Sequence, residues 1–222
     1  MIITCKTEEI GARIYELFTV AVLSKSKDKI IAAFPGGRSV KTFFEKLKTS
    51  DLPWEKIHIF MVDERRVPLD HTDSNYKLIY DSFAKELIDN GRLPEANLHP
   101  YKDNEGIEKY SEELKSLGGK FDIVVLGTGE DGHVAALYPN HNSIKDESEF
   151  FVTIDDSPKP PPKRMTASKN LLLESDTAIA IFAGEGKMQA FEKYKDPEIN
   201  YYELPVKLIN QLQSYYAITN LK

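Results

Sequence analysis

The 222-residue chain predicts an α/β fold, with a mostly parallel sheet covered by helices on both faces. Three observations carry this expectation. Runs of mainly apolar residues recur at 29–34 (KIIAAF), 57–62 (IHIFMV), 121–126 (FDIVVL) and 177–182 (TAIAIF), the pattern of strands buried on both faces. Between them apolar residues return at helical spacing. Glycine-rich or charged segments follow the runs directly, where a strand hands over to the crossover that a parallel neighbour requires.

Taken in order, residues 8–23 place Ile10, Ile14, Leu17, Phe18 and Val22 on one helical stripe, and the strand at 29–34 ends at Pro35-Gly36-Gly37. Val40, Phe43, Phe44 and Leu47 continue with helix period, and the strand at 57–62 runs into Asp63-Glu64-Arg65-Arg66. A helix through Ile79, Phe83 and Leu87 stops near Asn90-Gly91. Another through Ile107, Tyr110, Leu114 and Leu117 stops at Gly118-Gly119. The strand at 121–126 leads into Gly127-Thr128-Gly129, and a short helix is expected from about Gly132. The last third offers strands at 150–154 and 177–182, a rigid proline-rich surface loop at 157–162, and a terminal helix–strand pair through Leu208 and Tyr216. No linker or internal repeat interrupts this order, so one domain over 1–222 is expected. In such sheets ligands bind beyond the carboxyl ends of the strands.

Composition narrows the function. The net charge is −6 and no Lys/Arg block is present, which argues against a nucleic-acid partner. The apolar runs fall well short of the roughly 18 residues of a membrane span. The single cysteine, Cys5, permits no internal disulfide and the first residues lack a secretory pattern, so a cytoplasmic location is expected. If the protein binds an anion, its positive charge must be local.

Two segments have the chemistry for that. Residues 127–133, Gly-Thr-Gly-Glu-Asp-Gly-His, lie between a strand and an expected helix, where free backbone N–H groups face a bound anion or a developing oxyanion. A tight turn explains the two glycines of G-x-G equally well, and the third glycine of a dinucleotide fingerprint is missing. His133 at a helix start would feel the positive end of the dipole, which favours the neutral ring, and Asp131 would either orient that ring or cap the helix. Pro35-Gly36-Gly37-Arg38-Ser39 is a second anion cradle or a plain strand-to-helix turn, without Walker spacing. Arg164 and Lys187 stand beside turns; Asp63-Glu64-Arg65-Arg66 is a charge run at a strand end; Asn75 is a candidate helix cap. No H-E-x-x-H pattern and no G-x-S-x-G elbow occur, so neither a metal site nor a serine hydrolase is expected.

An ordered set of motifs then resembles the 6-phosphogluconolactonase family. It comprises Pro35-Gly-Gly-Arg-Ser, Trp54 with Val62-Asp-Glu-Arg-Arg-Val-Pro68, Asp73-Ser-Asn-Tyr76, Leu126-Gly-Thr-Gly-Glu-Asp-Gly-His133 and Ser157-Pro-Lys-Pro-Pro-Pro-Lys-Arg-Met-Thr166. The resemblance covers nearly the whole chain. It implies a Rossmann-like sheet, a superfamily shared with glucosamine-6-phosphate deaminase, and hydrolysis of 6-phospho-D-glucono-1,5-lactone in the oxidative pentose phosphate pathway. The implied partner is a sugar-phosphate lactone, and the implied chemistry calls for no cofactor.

By the same resemblance His133 is the general base, Asp131 positions it or the substrate, and Arg65 lies near the reacting end or the phosphate. Asp63 and Asn75 line the cleft. Arg164, Lys187 and the amides of Gly36 and Gly37 are implied phosphate ligands, with Ser39 and Gly129 among the substrate-binding residues. The family usually has S-G-G-S-T-P where this chain has Pro35 to Val40, so Arg38 replaces a serine and either contacts the phosphate or turns outward. A deaminase carries a further glutamate in an F-N-E-P-like run; Ala136-Leu137-Tyr138-Pro139 stands there instead. The rival readings are that deaminase-isomerase and a non-catalytic sugar-phosphate sensor.

Overall fold

The structure, a computed structural model, describes residues 1–221. The strands are β1 (Ile2–Thr4), β2 (Ile30–Phe34), β3 (Ile57–Met61), β4 (Asp63–Arg65), β5 (Leu98–His99), β6 (Ile123–Gly127), β7 (Phe151–Ile154), β8 (Arg164–Ala167), β9 (Thr177–Phe182) and β10 (Ser214–Thr219). The α-helices are α1 (Ile10–Leu23), α2 (Lys41–Lys48), α3 (Asn75–Ile79), α4 (Lys85–Asp89), α5 (Ile107–Ser116), α6 (Asn142–Lys145), α7 (Lys169–Leu173) and α8 (Met188–Lys195). A π-helical segment, Tyr80–Ala84, joins α3 to α4.

Seven strands form one sheet in the order β1-β10-β9-β6-β2-β3-β5, every adjacent pair parallel. Every residue of β2, β3 and β9 is buried, as strands sandwiched between two helical layers must be. The pleat divides the side chains. Phe34 meets the rings of Phe18 on α1, Phe43 and Phe44 on α2, and Phe83, at centroid distances of 5.4 to 6.0 Å. On the opposite face Phe60 stacks on His99 at 4.3 Å and packs against Tyr110 of α5 at 5.3 Å. The predicted layers are therefore present on both faces.

One expectation is corrected. No helix starts at Gly132: Val134 bridges Thr128 and Leu137, Ala135 takes a φ of 50°, and the Ala136 N–H donates to Thr166 Oγ1 at 3.0 Å. A residue in the left-handed region interrupts helical hydrogen bonding, and the next helix is α6. The terminal helix–strand pair is present as expected, with Pro205–Gln211 winding as a 3₁₀ helix before β10. A second sheet, β4-β8-β7, is antiparallel and stands at the carboxyl end of β3. Among the described residues no helix is long and apolar enough to cross a membrane.

Candidate active site

The loop after β6 folds back on itself. The Gly129 N–H donates to His133 O at 2.8 Å and the Gly132 N–H to Gly129 O at 3.1 Å. This return brings Asp131 beside His133: Asp131 Oδ1 lies 2.5 Å from His133 Nδ1 and accepts the His133 backbone N–H at 3.2 Å. Burial works to raise the Asp131 carboxyl, but the hydrogen bonds and charge of His133 prevail and hold it down at about 2. A carboxylate only accepts, so in the neutral ring the proton belongs on Nδ1 and Nε2 presents a lone pair. The imidazole side chain retains 20% exposure. His133 does not stand at a helix N-terminus, so the dipole expected to favour its neutral ring is missing, while the expected contact with Asp131 orients the ring. Gly129 is needed because a Cβ there would fall 2.0 Å from Nδ1 and 2.5 Å from Asp131 Oδ1.

The second wall comes from the small sheet. Arg65 on β4 is directly opposite Arg164 on β8, and Asp63 is opposite Thr166, so these four share one face while Glu64 points away. Glu64 is buried and accepts the N–H groups of Arg65, Asn75 and Tyr76, each at 2.7 Å, with Ser74 Oγ at 3.2 Å. Burial pushes its carboxyl up to about 7 against the pull of those amides. The result is that α3 is pinned to β4. Asn75 consequently donates Nδ2 to Asp63 O at 2.8 Å and presses its amide onto Gly36, where a Cβ would meet Oδ1 at 1.8 Å.

The two arginines are differently committed. Arg164 is 4% exposed, and its guanidinium donates from Nε to Pro161 O at 2.9 Å and from Nη2 to Pro160 O at 2.8 Å. Its Nη1 lies 4.0 Å from Asp63 Oδ2. Much of its donor capacity thus organises the proline loop that the sequence leaves as exposed surface. Arg65 donates Nη1 to Asp73 O, while its Nε is buried without a partner. Asn75 Oδ1 and Thr128 Oγ1 are likewise buried and unpartnered, although such atoms are nearly always satisfied.

Positive charge gathers at the other end. Lys187 sits in the 3₁₀ turn Glu185–Lys187 that follows β9. Burial lowers its pKa, Glu130 and Asp131 oppose that, and the nearby charges of Lys159 and Arg38 add to it. Glu130 lies over Gly186, where a Cβ would approach Oε1 to 2.9 Å. Arg38 and Gly37 are exposed, and the N–H groups of Gly36, Gly37, Arg38 and Ser39 have no partner among the described residues. Ser39 Oγ rests against Gly127 at the end of β6. Sequence reasoning overlooked Lys159, whose signal was its place inside the proline loop, and Glu130, part of the glycine loop itself.

Contacts and short-range fields link the candidates: His133 with Asp131, Asp63 with Arg65, Asn75 and Arg164 across the small sheet, Asn75 with Gly36, and Lys187 with Arg38 and Asp131. Such a site can hold a small anion and accept a proton from a group beside it. Among the described residues no three His, Cys, Asp or Glu side chains come together in metal-binding reach.

The chain also resembles proteins of known family along most of its length. Over 216 residues the chain is 29% identical to a 6-phosphogluconolactonase of Borreliella burgdorferi, covering 95% of this chain and 91% of the relative. It is 34% identical over 171 residues to the 6-phosphogluconolactonase of Thermotoga maritima, covering 75% and 74% respectively. The crystal structure of a 6-phosphogluconolactonase from Thermotoga maritima superposes with a TM-score of 0.84 at 26% identity, over 100% of this chain and 99% of that one. The family model described as glucosamine-6-phosphate isomerases/6-phosphogluconolactonase matches residues 7–217. With nearly its whole length matched, the chain belongs to the glucosamine-6-phosphate isomerase/6-phosphogluconolactonase family.

Proposed function

We propose that this chain is a hydrolase that opens 6-phospho-D-glucono-1,5-lactone to 6-phosphogluconate, a step of the oxidative pentose phosphate pathway. The observation that carries the proposal is the His133–Asp131 pair, 2.5 Å apart, in a cleft with cations at one end. A lactone is already an activated ester, so the enzyme has only to position water, remove its proton and stabilise the tetrahedral oxyanion. His133 Nε2 takes the proton from water as it attacks the lactone carbonyl, and Asp131 on Nδ1 stabilises the imidazolium that results. The proton then passes to the ring oxygen as the C–O bond breaks.

The 6-phosphate belongs at the opposite end, with Arg38, Lys159 and Lys187 and the amides of residues 36–39. Asp63, Arg65 and Asn75 face the sugar between the two ends, and the unpartnered Arg65 Nε and Asn75 Oδ1 suit a polyhydroxylated ligand. A net charge of −6 makes this local positive field necessary for an anionic substrate. A single cysteine without a disulfide partner suits a reducing cytoplasm.

The alternative within the family is the deaminase-isomerase, which Ala136-Leu137 disfavours because no carboxylate stands there to relay a proton. Freshly generated 6-phosphogluconolactone and glucosamine 6-phosphate, offered in parallel assays, separate the two. Acid release above the spontaneous rate is expected from the first and no ammonia from the second. Ammonia release alone, or tight binding without turnover of either, would overturn the proposal.

A further inference from the structure

Tyr138 is the side chain that links His133 to the proline loop. Its ring is 2% exposed and lies 4.8 Å from the His133 ring, centroid to centroid, with His141 edge-on at 5.8 Å on another side. Its backbone N–H donates to Ser143 Oγ at 3.1 Å, which anchors the residue from behind. Asp63, Asp131 and Arg164 are the charged groups whose fields reach the phenol. A phenylalanine would fill this space equally well. The hydroxyl is therefore the feature requiring explanation.

That hydroxyl lies 2.8 Å from Ser157 Oγ, the first residue of the proline loop. Ser157 Oγ is in turn 2.8 Å from Lys159 O and accepts the Lys159 N–H at 3.2 Å. One arrangement of protons satisfies all three contacts: the phenol and the Lys159 amide both donate to Ser157 Oγ, whose own proton goes to Lys159 O. The peptide groups on both sides of Lys159 are thus held through a serine that Tyr138 itself holds. The Ser157 N–H donates to Pro162 O at 3.1 Å and closes the loop. Lys159 itself is exposed, and its backbone is held from one side by this serine and from the other by Arg164, whose Nη2 lies 3.5 Å from Lys159 O.

We propose that Tyr138 is a positioning residue with two separable roles: its ring braces His133, and its hydroxyl, acting through Ser157, sets Lys159 at the end of the cleft that receives the phosphate. The inference rests on the lactonase reading, and it divides the expected effects by atom. Removing the hydroxyl should loosen anionic binding and spare the chemical step. Removing the ring should also disturb the base.

The test uses the full chain with 6-phosphogluconolactone as substrate and 6-phosphogluconate as a binding probe. Tyr138→Phe and Ser157→Ala are each expected to raise KM and the Kd of 6-phosphogluconate about 3- to 10-fold, with kcat within twofold of the parent. Lys159→Ala should do the same, and combining it with Tyr138→Phe should add little, because both remove one interaction. Tyr138→Leu, which keeps bulk but not the ring, should lower kcat as well. Unchanged KM and Kd in Tyr138→Phe, or effects of Tyr138→Phe and Lys159→Ala that multiply, would overturn the inference. A fall in kcat at constant KM in Tyr138→Phe would overturn it too, by placing the hydroxyl in the chemistry. If the parent chain does not hydrolyse the lactone at all, the functional reading itself fails, and that result is distinguishable from any of these.

Discussion

Gly129→Ala isolates the geometry of the His133–Asp131 pair without touching either residue. The added Cβ would stand 2.0 Å from His133 Nδ1, 2.2 Å from Cε1 and 2.5 Å from Asp131 Oδ1, where ordinary contact begins at 3.4 Å. The ring must therefore move by about 1.4 Å at Nδ1 to clear it. The 2.5 Å hydrogen bond cannot survive such a shift. Misplacement by about 1 Å costs on the order of 10²-fold in rate, so kcat should fall roughly 100-fold, with a smaller effect on KM because Arg38 and the amides of residues 36–39 are untouched. The backbone at Gly129 is not in the left-handed region, so alanine imposes no dihedral strain and melting should move by only a few degrees. Lactone hydrolysis by pH-stat, corrected for spontaneous opening, supplies both constants. A kcat within threefold of the parent would refute the placement of the catalytic pair.

Further outcomes follow from other parts of the molecule. Arg38→Ala should raise KM several-fold with kcat nearly constant, since Arg38 is exposed beside Lys187 at the phosphate end; steady-state kinetics with an unchanged KM would leave the backbone amides as the local ligands. Asp122→Ala should destabilise the fold by about 1 to 3 kcal/mol in urea denaturation, because the buried carboxylate accepts the Ile31 N–H at 2.8 Å and leaves that donor unsatisfied. Lys25 and Lys27, its ionic partners, retain exposure and can return to water, so they add little to that cost. His58 provides a pH signature: burial first, then the charges of His99 and Lys29, lower its pKa to about 4. The unfolded chain takes up this proton near pH 6.5 and the folded chain resists it, so stability present above that pH is lost as pH falls towards 4, by at most about 3 kcal/mol. Denaturation midpoints that do not decline over this window, or a decline that persists in His58→Asn, would contradict that assignment.

The inner strands β2, β3, β6 and β9 were legible because they are mainly apolar runs buried on both faces, whereas the short edge strands β1 and β5 offer no such run. The same rule concealed β4. Asp63-Glu64-Arg65 looks like a solvent-exposed charge run, yet Glu64 is buried because it serves as the shared acceptor for the first turn of α3. The burial of Arg164 was hidden for a similar reason: its partners are carbonyls of its own loop, and carbonyls carry no sequence signal. The helix expected after Gly132 failed where tertiary pairing prevailed, with Thr166 Oγ1 capturing the Ala136 amide and Val134 joining a bridge. That error leaves the candidates where they were expected along the chain, since chain order places them at strand ends whatever follows. The helix dipole expected to favour the neutral His133 ring went with that helix, whereas the expected Asp131 contact is present once the loop has turned on itself.

The most direct test is the rate of 6-phosphogluconolactone opening by the parent chain and by His133→Ala, each measured against the spontaneous background. The parent should exceed that background, and the variant should lose about 10²- to 10⁴-fold in kcat while its circular dichroism and melting curve stay those of a folded protein. A folded His133→Ala variant that turns over the lactone at the parental rate would contradict the account.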